Sequence, residues 1–120
     1  MFNSIANQLV SVLPDQWEDV VMYSQFDESM YEIFFYVKVN GKYISCYDLD
    51  DYGISQDEVM ECFDEIYQIF YPDYDEKKWF CATIRLMNDG KLTLDYDYND
   101  DNIDEFDYRE VWMKKYLPMV

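Results

Sequence analysis

Acidic and aromatic residues alternate through residues 91–107, where they could form a protein-binding surface. Residues 89–107 hold eight carboxylates and one lysine. Closely spaced carboxylates suit a cation or a basic protein, and aromatic side chains beside them add packing energy. We therefore predict that a basic partner binds here. The predicted residues, called the strand-end surface below, are Asp95, Tyr96, Asp97, Tyr98, Asp100, Asp101, Asp104 and Phe106.

A second acidic segment, residues 48–65, also holds eight carboxylates and has no basic residue. It is the rival binding site, but its side chains offer charge alone, so we prefer the strand-end surface. A purely solubilising role for both acidic segments is the plain alternative. The rival residues, called the helix-side surface below, are Asp48, Asp50, Asp51, Glu58, Glu61 and Glu65.

The residue types needed for most catalytic and metal sites are missing. The chain has no histidine, three scattered cysteines and three glycines, which removes the usual general base, closed zinc sites and glycine-rich phosphate loops. Calcium-loop frames starting at Asp48 and Asp95 both fail, because Val59 and Phe106 stand where the closing glutamate is needed. We predict no catalytic residue, no metal and no cofactor.

Composition limits the partners and the compartment. The net charge of −17 and the pI near 4.1 disfavour binding to nucleic acid and to anionic membranes. No segment resembles a signal peptide or a membrane span, and the odd number of cysteines is typical of reduced thiols. We expect one cytoplasmic domain over residues 1–120, half of whose residues are hydrophobic and can form a core.

Hydrophobic periodicity predicts three helices and five strands. Asn40-Gly41 predicts a tight hairpin, Ser55 with Glu58 predicts a capped helix start, and Pro72 is expected to end that helix. Val111, Trp112 and Tyr116 are predicted to pack the last helix. The order α-β-β-β-α-β-β-α predicts an α+β fold with a five-stranded antiparallel sheet. The predicted helices are 3–13, 55–71 and 107–117, and the predicted strands are 17–26, 30–39, 42–47, 79–87 and 91–98, with an acidic loop at 48–53.

Several short sequences, in this order and spacing, resemble the YezG-like immunity proteins, also called EsaG-type antitoxins. The resemblance implies a protein that binds and neutralises a nuclease toxin exported by the type VII pathway, and it carries over no catalytic residue. The matching pieces are Leu13-Pro14, Gln16-Trp17-Glu18, Ile33-Phe34-Phe35-Tyr36, Trp79, Gly90-Lys91 followed by Leu92–Tyr98, Arg109, Trp112 and Lys115-Tyr116-Leu117.

Two other functions stay open at this point. An acidic chaperone or scaffold for a basic secreted protein would use the same surface without inhibiting its partner. A carboxylate-based metal enzyme is the less favoured third possibility, because 26 acidic residues make some close pair inevitable. The sequence leaves open the oligomeric state, and whether a toxin's active site or a neighbouring exosite would be covered.

Overall fold

A computed structural model describes residues 1–117. The five strands form one antiparallel sheet in the order β3-β2-β1-β4-β5, and the observed element order confirms the predicted α+β fold. The helices are α1 (Phe2–Val10), α2 (Gln56–Lys77) and α3 (Glu105–Tyr116), with a 3₁₀-helix at Cys46–Tyr52. The strands are β1 (Trp17–Phe26), β2 (Tyr31–Val39), β3 (Lys42–Ser45), β4 (Cys81–Met87) and β5 (Leu92–Asp97).

Local sequence explains the strand connections. Asn40 and Gly41 both adopt positive φ angles, 52° and 78°, as a two-residue hairpin between twisted strands requires. Gly90, at φ 94°, similarly closes the turn between β4 and β5. Each hairpin sets the register of its strand pair. β1 lies at the centre, paired with β2 on one side and β4 on the other.

The sheet is covered on both faces. On the first face α1 and α2 pack against alternate residues of β2, and the rings of Phe35 and Phe63 meet edge to face with centroids 5.9 Å apart. On the second face α3 packs against the intervening residues, and the centroids of Phe34 and Trp112 lie 5.4 Å apart. This double burial explains why β1 and β2 contain nearly continuous apolar runs instead of strict alternation.

The prediction that α2 ends before Pro72 is wrong. The helix continues to Lys77, although an interior proline removes one backbone hydrogen bond and costs roughly 3 kcal/mol. The buried Asp73 carboxylate explains the extension, because it accepts hydrogen bonds from Trp79 (3.2 Å) and Tyr96 (2.6 Å) and pairs with Lys77 (2.7 Å). These tertiary contacts stabilise the last turn of the helix beyond the proline.

The packing residues of α3 also differ from the prediction. Val111 is exposed, whereas Tyr108 and Trp112 are the buried residues of the helix and Tyr116 is half-buried. The face that packs therefore repeats at positions 108, 112 and 116, which are one helical turn apart. Val111, which was predicted to pack against the sheet, is instead an apolar side chain on the outer surface of α3.

Smaller differences concern the ends of elements. Residues 48–53 do not form an open loop, because the buried Leu49 side chain draws residues 46–52 into a 3₁₀-helix against the core. Helix α1 ends at Val10, and the strands β2 to β5 are one or two residues shorter than predicted. Among the helices of residues 1–117, none offers an apolar run long enough to cross a bilayer.

Candidate protein-binding surface

The alternation of β5 divides the predicted strand-end surface between the two faces of the sheet. Tyr96 lies on the α1–α2 face, where its hydroxyl donates to Asp73 and its ring stacks on Trp79 at 6.1 Å between centroids. Asp95 and Asp97 lie on the opposite face, beside α3. The Tyr96 side chain is therefore part of the packing behind the strand, although the residue also borders the cavity beside α3.

A groove of about 340 Å³ lies between β5 and α3. It brings together four of the predicted carboxylates and faces them with aromatic side chains from the helix. Its acidic residues are Asp95, Asp97, Asp100 and Asp101, and its aromatic and apolar residues include Ile103, Tyr108, Val111, Trp112 and Tyr116. Lys115 is the basic residue in its lining.

Tyrosine hydroxyls from α3 hold the two carboxylates of β5 in place. Tyr108 donates to Asp97 Oδ2 at 2.5 Å, and Tyr116 donates to Asp95 Oδ2 at 2.9 Å. The Asn99 N–H donates to the second Asp97 oxygen at 2.9 Å. Both carboxylates are thus oriented before a partner arrives, which reduces the conformational entropy that binding would cost.

The same hydrogen bonds affect the protonation of these groups. Partial burial works against ionisation of Asp97, but the bonds from Tyr108 and the Asn99 N–H, together with the charge of Lys115, lower the pKa of its carboxyl. Burial, followed by the hydrogen bond to Asp95, raises the pKa of Tyr116 to about 12. At neutral pH the tyrosines are protonated donors and Asp97 is an anion.

The loop between β5 and α3 has a defined shape. Asn99 and Asn102 adopt left-handed φ angles of 53° and 54°. The Asn99 side chain donates to the Ile103 carbonyl at 2.8 Å and accepts from the Ile103 N–H at 3.0 Å. These bonds leave Asp100 and Asp101 exposed on the loop.

The remaining predicted residues, Asp104, Tyr98 and Phe106, do not line the groove. Asp104 is the N-cap of α3 and accepts a hydrogen bond from the Phe106 N–H at 3.3 Å. The side chains of Tyr98 and Phe106 are 48% and 67% exposed, and Val111 on the same helix is 49% exposed. Exposed aromatic and aliphatic side chains beside charged groups are typical anchors of protein interfaces.

Helix α3 is fixed to the sheet by polar contacts as well as by packing. Trp112 Nε1 donates to Thr83 Oγ1 at 2.8 Å, and Arg85 donates to the Tyr116 carbonyl at 3.3 Å. Arg85 Nε also lies 3.2 Å from Asp19 Oδ1, which makes an ion pair although the angle is too bent for a hydrogen bond. These contacts determine the position of the aromatic wall of the groove.

The helix-side surface is arranged differently. Glu58, Glu61 and Glu65 line a shallow groove of about 370 Å³ between α1 and α2. Asp48, Asp50 and Asp51 lie on the 3₁₀-helix and do not line that groove. Its other lining residues are Gln8, Ser11, Cys62 and Asp64, so it has no aromatic wall.

The aromatic side chains that line the groove between β5 and α3, called the strand-end groove below, were not predicted from the sequence as part of the site. Tyr108, Trp112 and Tyr116 recur every fourth residue, which places them on one face of a helix. That spacing was available in the sequence. No local sequence pattern predicts which tyrosine meets which aspartate. That pairing, Tyr108 with Asp97 and Tyr116 with Asp95, depends on where α3 packs on the sheet.

Metal and thiol chemistry find little support in the described chain. Within residues 1–117, no three His, Cys, Asp or Glu side chains are arranged to hold a metal ion. The three cysteines are buried and unpaired. Burial raises the pKa of Cys46 to about 11 and the pKa values of Cys62 and Cys81 to about 12, so all three are neutral thiols at physiological pH.

The fold and the groove together define an acidic α+β protein with a preformed surface suited to binding another protein. The match to the family model described as "Immunity protein YezG-like" extends over residues 1–120, and the chain belongs to this family of immunity proteins. It has an immunity role, and the predicted family resemblance is confirmed.

Three relatives support the assignment. The chain is 26% identical to "Immunity protein YezG" of Bacillus spizizenii over 133 residues, covering 100% of this chain and 82% of that protein. It is 26% identical to "Type VII secretion system protein EsaG" of Staphylococcus aureus over 109 residues, covering 83% and 67%. It is 24% identical to "Immunity protein YezG" of Bacillus subtilis over 130 residues, covering 98% and 85%.

Proposed function

We propose that this immunity protein neutralises a nuclease toxin by binding it stoichiometrically through the strand-end surface, without catalysis of its own. One observation carries the proposal. In the groove between β5 and α3, Asp95 and Asp97 are held by tyrosine hydroxyls beside exposed acids and an aromatic wall.

The chemistry of the groove favours a basic protein partner. Arginine side chains can pair with oriented carboxylates and stack on aromatic rings at the same time. Opposite charge accelerates encounter, and desolvated contacts of this kind slow dissociation. Lys115 offsets only part of the negative charge in the groove lining. A partner that contributes cations would relieve the self-repulsion of a chain with net charge −17.

A nuclease fits this requirement because its substrate is a polyanion. The residues that hold phosphates are typically Lys and Arg, and an array of carboxylates can occupy the same cations. One relative is named a type VII secretion system protein, and we extend that association to this chain. In this proposal the toxin is exported by that pathway, and the immunity protein acts in the cytoplasm of the producing cell without binding nucleic acid or membranes.

The proposal is tested by co-purification with the protein encoded beside this gene, followed by a nuclease assay. We expect a complex of defined stoichiometry and loss of nuclease activity when one equivalent of the immunity protein is present. Tight binding with unchanged nuclease activity would identify an acidic chaperone instead. Metal-dependent hydrolysis by the purified immunity protein alone would identify the carboxylate enzyme.

A further inference from the structure

Strand β5 lies at one edge of the sheet and pairs only with β4 among residues 1–117. The Met87 N–H donates to the Lys91 carbonyl at 2.9 Å, and the Phe80 N–H donates to the Asp97 carbonyl at 2.8 Å. Backbone groups of successive residues in a strand point to opposite sides. Thr93 and Asp95 therefore face β4 like Lys91 and Asp97, and the backbone groups of the residues between them face outward.

The outward groups belong to Leu92, Leu94 and Tyr96. No hydrogen bond from residues 1–117 reaches the N–H or carbonyl of any of the three. An edge of this length, with free donors and acceptors, is a template for another strand. It is also continuous with the groove, since the adjacent residues Asp95 and Asp97 line the groove on the α3 side.

We propose that the open edge of β5 receives an extended basic segment of the toxin as a sixth strand. This inference rests on the proposed function and specifies how the partner binds. Backbone hydrogen bonds to Leu92, Leu94 and Tyr96 hold the added strand, and the carboxylates of the groove select its side chains.

The two faces of β5 specify the alternation of the added strand. Side chains on its α3 side lie next to Asp95 and Asp97, where Lys or Arg forms favourable cross-strand pairs. Side chains on its other side lie next to the half-buried Leu92, Leu94 and Tyr96, where apolar residues extend the packing. The partner segment therefore alternates basic and apolar residues.

Charge argues against other occupants of this edge. If β5 of a second copy paired here, the carboxylates of both strands would lie on the same side of the joined sheet and repel each other. The opposite edge of the sheet, β3, has four residues, begins with Lys42 and leads directly into the 3₁₀-helix. It is a shorter and less acidic template for a basic segment.

Residue-resolved amide hydrogen exchange tests the proposal. The probe is the product of the neighbouring gene, purified as a catalytically inactive variant. In the free immunity protein we expect fast exchange at Leu92, Leu94 and Tyr96 and slow exchange at Thr93 and Asp95. In the complex, exchange at the three outward amides should slow by at least tenfold, as new hydrogen bonds form.

A pair of variants provides a second measurement. Leu94→Pro removes one outward N–H without removing a bond to β4, and Leu94→Ala trims the same side chain while keeping the N–H. We expect Leu94→Pro to bind at least tenfold more weakly than Leu94→Ala. If the proline variant does not fold, the exchange measurement on the unmodified protein decides.

The outcomes separate this inference from the proposed function. If the nuclease is inhibited in a stoichiometric complex but the outward amides exchange as in the free protein, the strand-addition model is overturned and the proposed function stands. Equal affinities of the two Leu94 variants, both folded, would overturn it as well. If the inactive probe does not bind and the active form of the same protein is not inhibited, the proposed function itself fails.

Discussion

The strand-end groove and the helix-side surface come from segments with the same number of carboxylates, eight each, yet they are physically different. In the groove, Tyr108 and Tyr116 orient two aspartates beside a buried tryptophan. On α2, Glu58, Glu61 and Glu65 are exposed side chains on the solvent face of the helix. Equal numbers of carboxylates therefore give an organised groove in one segment and independent solvated side chains in the other.

The two surfaces differ in how much side-chain conformational entropy they keep in the unbound protein. Long exposed glutamate side chains lose rotamer freedom when they bind, whereas hydrogen-bonded aspartates have already lost it during folding. The lining of the groove also includes the exposed Val111. If this comparison is correct, the two surfaces should respond differently to equivalent mutations.

The largest expected effects come from removing a buried aromatic ring on either face of the sheet. On one face only stability should change, and on the other both stability and toxin binding should change. Phe63→Ala, on the packed face of α2, should lower the free energy of unfolding by about 3–5 kcal/mol, because loss of the buried ring leaves a cavity. Trp112→Ala should cost a similar amount and should also weaken toxin binding, because it removes the groove wall. Denaturant unfolding and calorimetric titration measure the two quantities. A loss below about 1 kcal/mol for Phe63→Ala would mean that this ring is not part of the core.

The next effect concerns the tyrosine that orients Asp97. Tyr108→Phe should lower the free energy of unfolding by about 1–2 kcal/mol, the low end of the range for bonds to charged groups because Asp97 is exposed. Tyr31→Phe is the matched control, since Tyr31 also donates to an exposed aspartate, Asp64 on α2, but is itself only half-buried, whereas Tyr108 is buried. The control should cost less than about 1 kcal/mol. Equal losses in urea titrations would show that the groove is no more organised than the helix side.

Charge neutralisation compares the two surfaces directly in binding. Replacing Asp95, Asp100 and Asp101 by Asn should slow toxin association by on the order of tenfold and flatten its salt dependence, since screening acts over about 8 Å at physiological ionic strength. The matched variant Glu58→Gln, Glu61→Gln, Glu65→Gln removes the same charge. Stopped-flow association at several salt concentrations measures both. A larger effect of the glutamate variant would move the binding site to the helix-side surface.

The smallest effect is a pH dependence. Because the pKa of Asp97 is lowered in the folded state, its contribution to stability is present above the unfolded pKa near 4 and is lost as pH falls through the folded pKa. Asp97→Asn should therefore cost less than about 1 kcal/mol at pH 7, after solvent screening, and the difference should vanish in acid. Unfolding of both proteins between pH 7 and pH 2 checks this. When the same comparison is made in the Tyr108→Phe background, the effect of Asp97→Asn on the free energy of unfolding should depend less on pH.

Much of the fold could be predicted from short-range patterns. Asn40-Gly41 set one hairpin, and the Ser55 side chain accepts a hydrogen bond from the Glu58 N–H at 3.2 Å, as the capping box predicts. The end of α2 could not be predicted in this way. The local rule for Pro72 is overcome by Asp73, whose partners Trp79 and Tyr96 belong to other elements.

The candidate site was predicted in part. Four of its carboxylates do line one groove, while Tyr96 points to the other face of the sheet and Asp104 caps a helix. The alternation of apolar and acidic residues along β5 predicted two faces. We expected the acidic residues to face solvent and did not expect α3 to cover part of their face. Helix α3 carries three acidic and three basic residues between its aromatic ones, and the aromatic residues of its packing face were not recognised as a group.

The sequence by itself determined the net charge, the strand pairings made by short turns and the start of α2, because each depends on composition or on neighbours a few residues apart. Only the tertiary structure decided which carboxylates became an organised surface. Asp95 meets Tyr116, and Asp97 meets Tyr108, because α3 packs on Tyr23 and Phe34 of the two central strands. That contact joins distant parts of the chain. The burial of apolar surface on the second face of the sheet therefore fixed the position of α3, and with it the groove, and no local conformational preference did so.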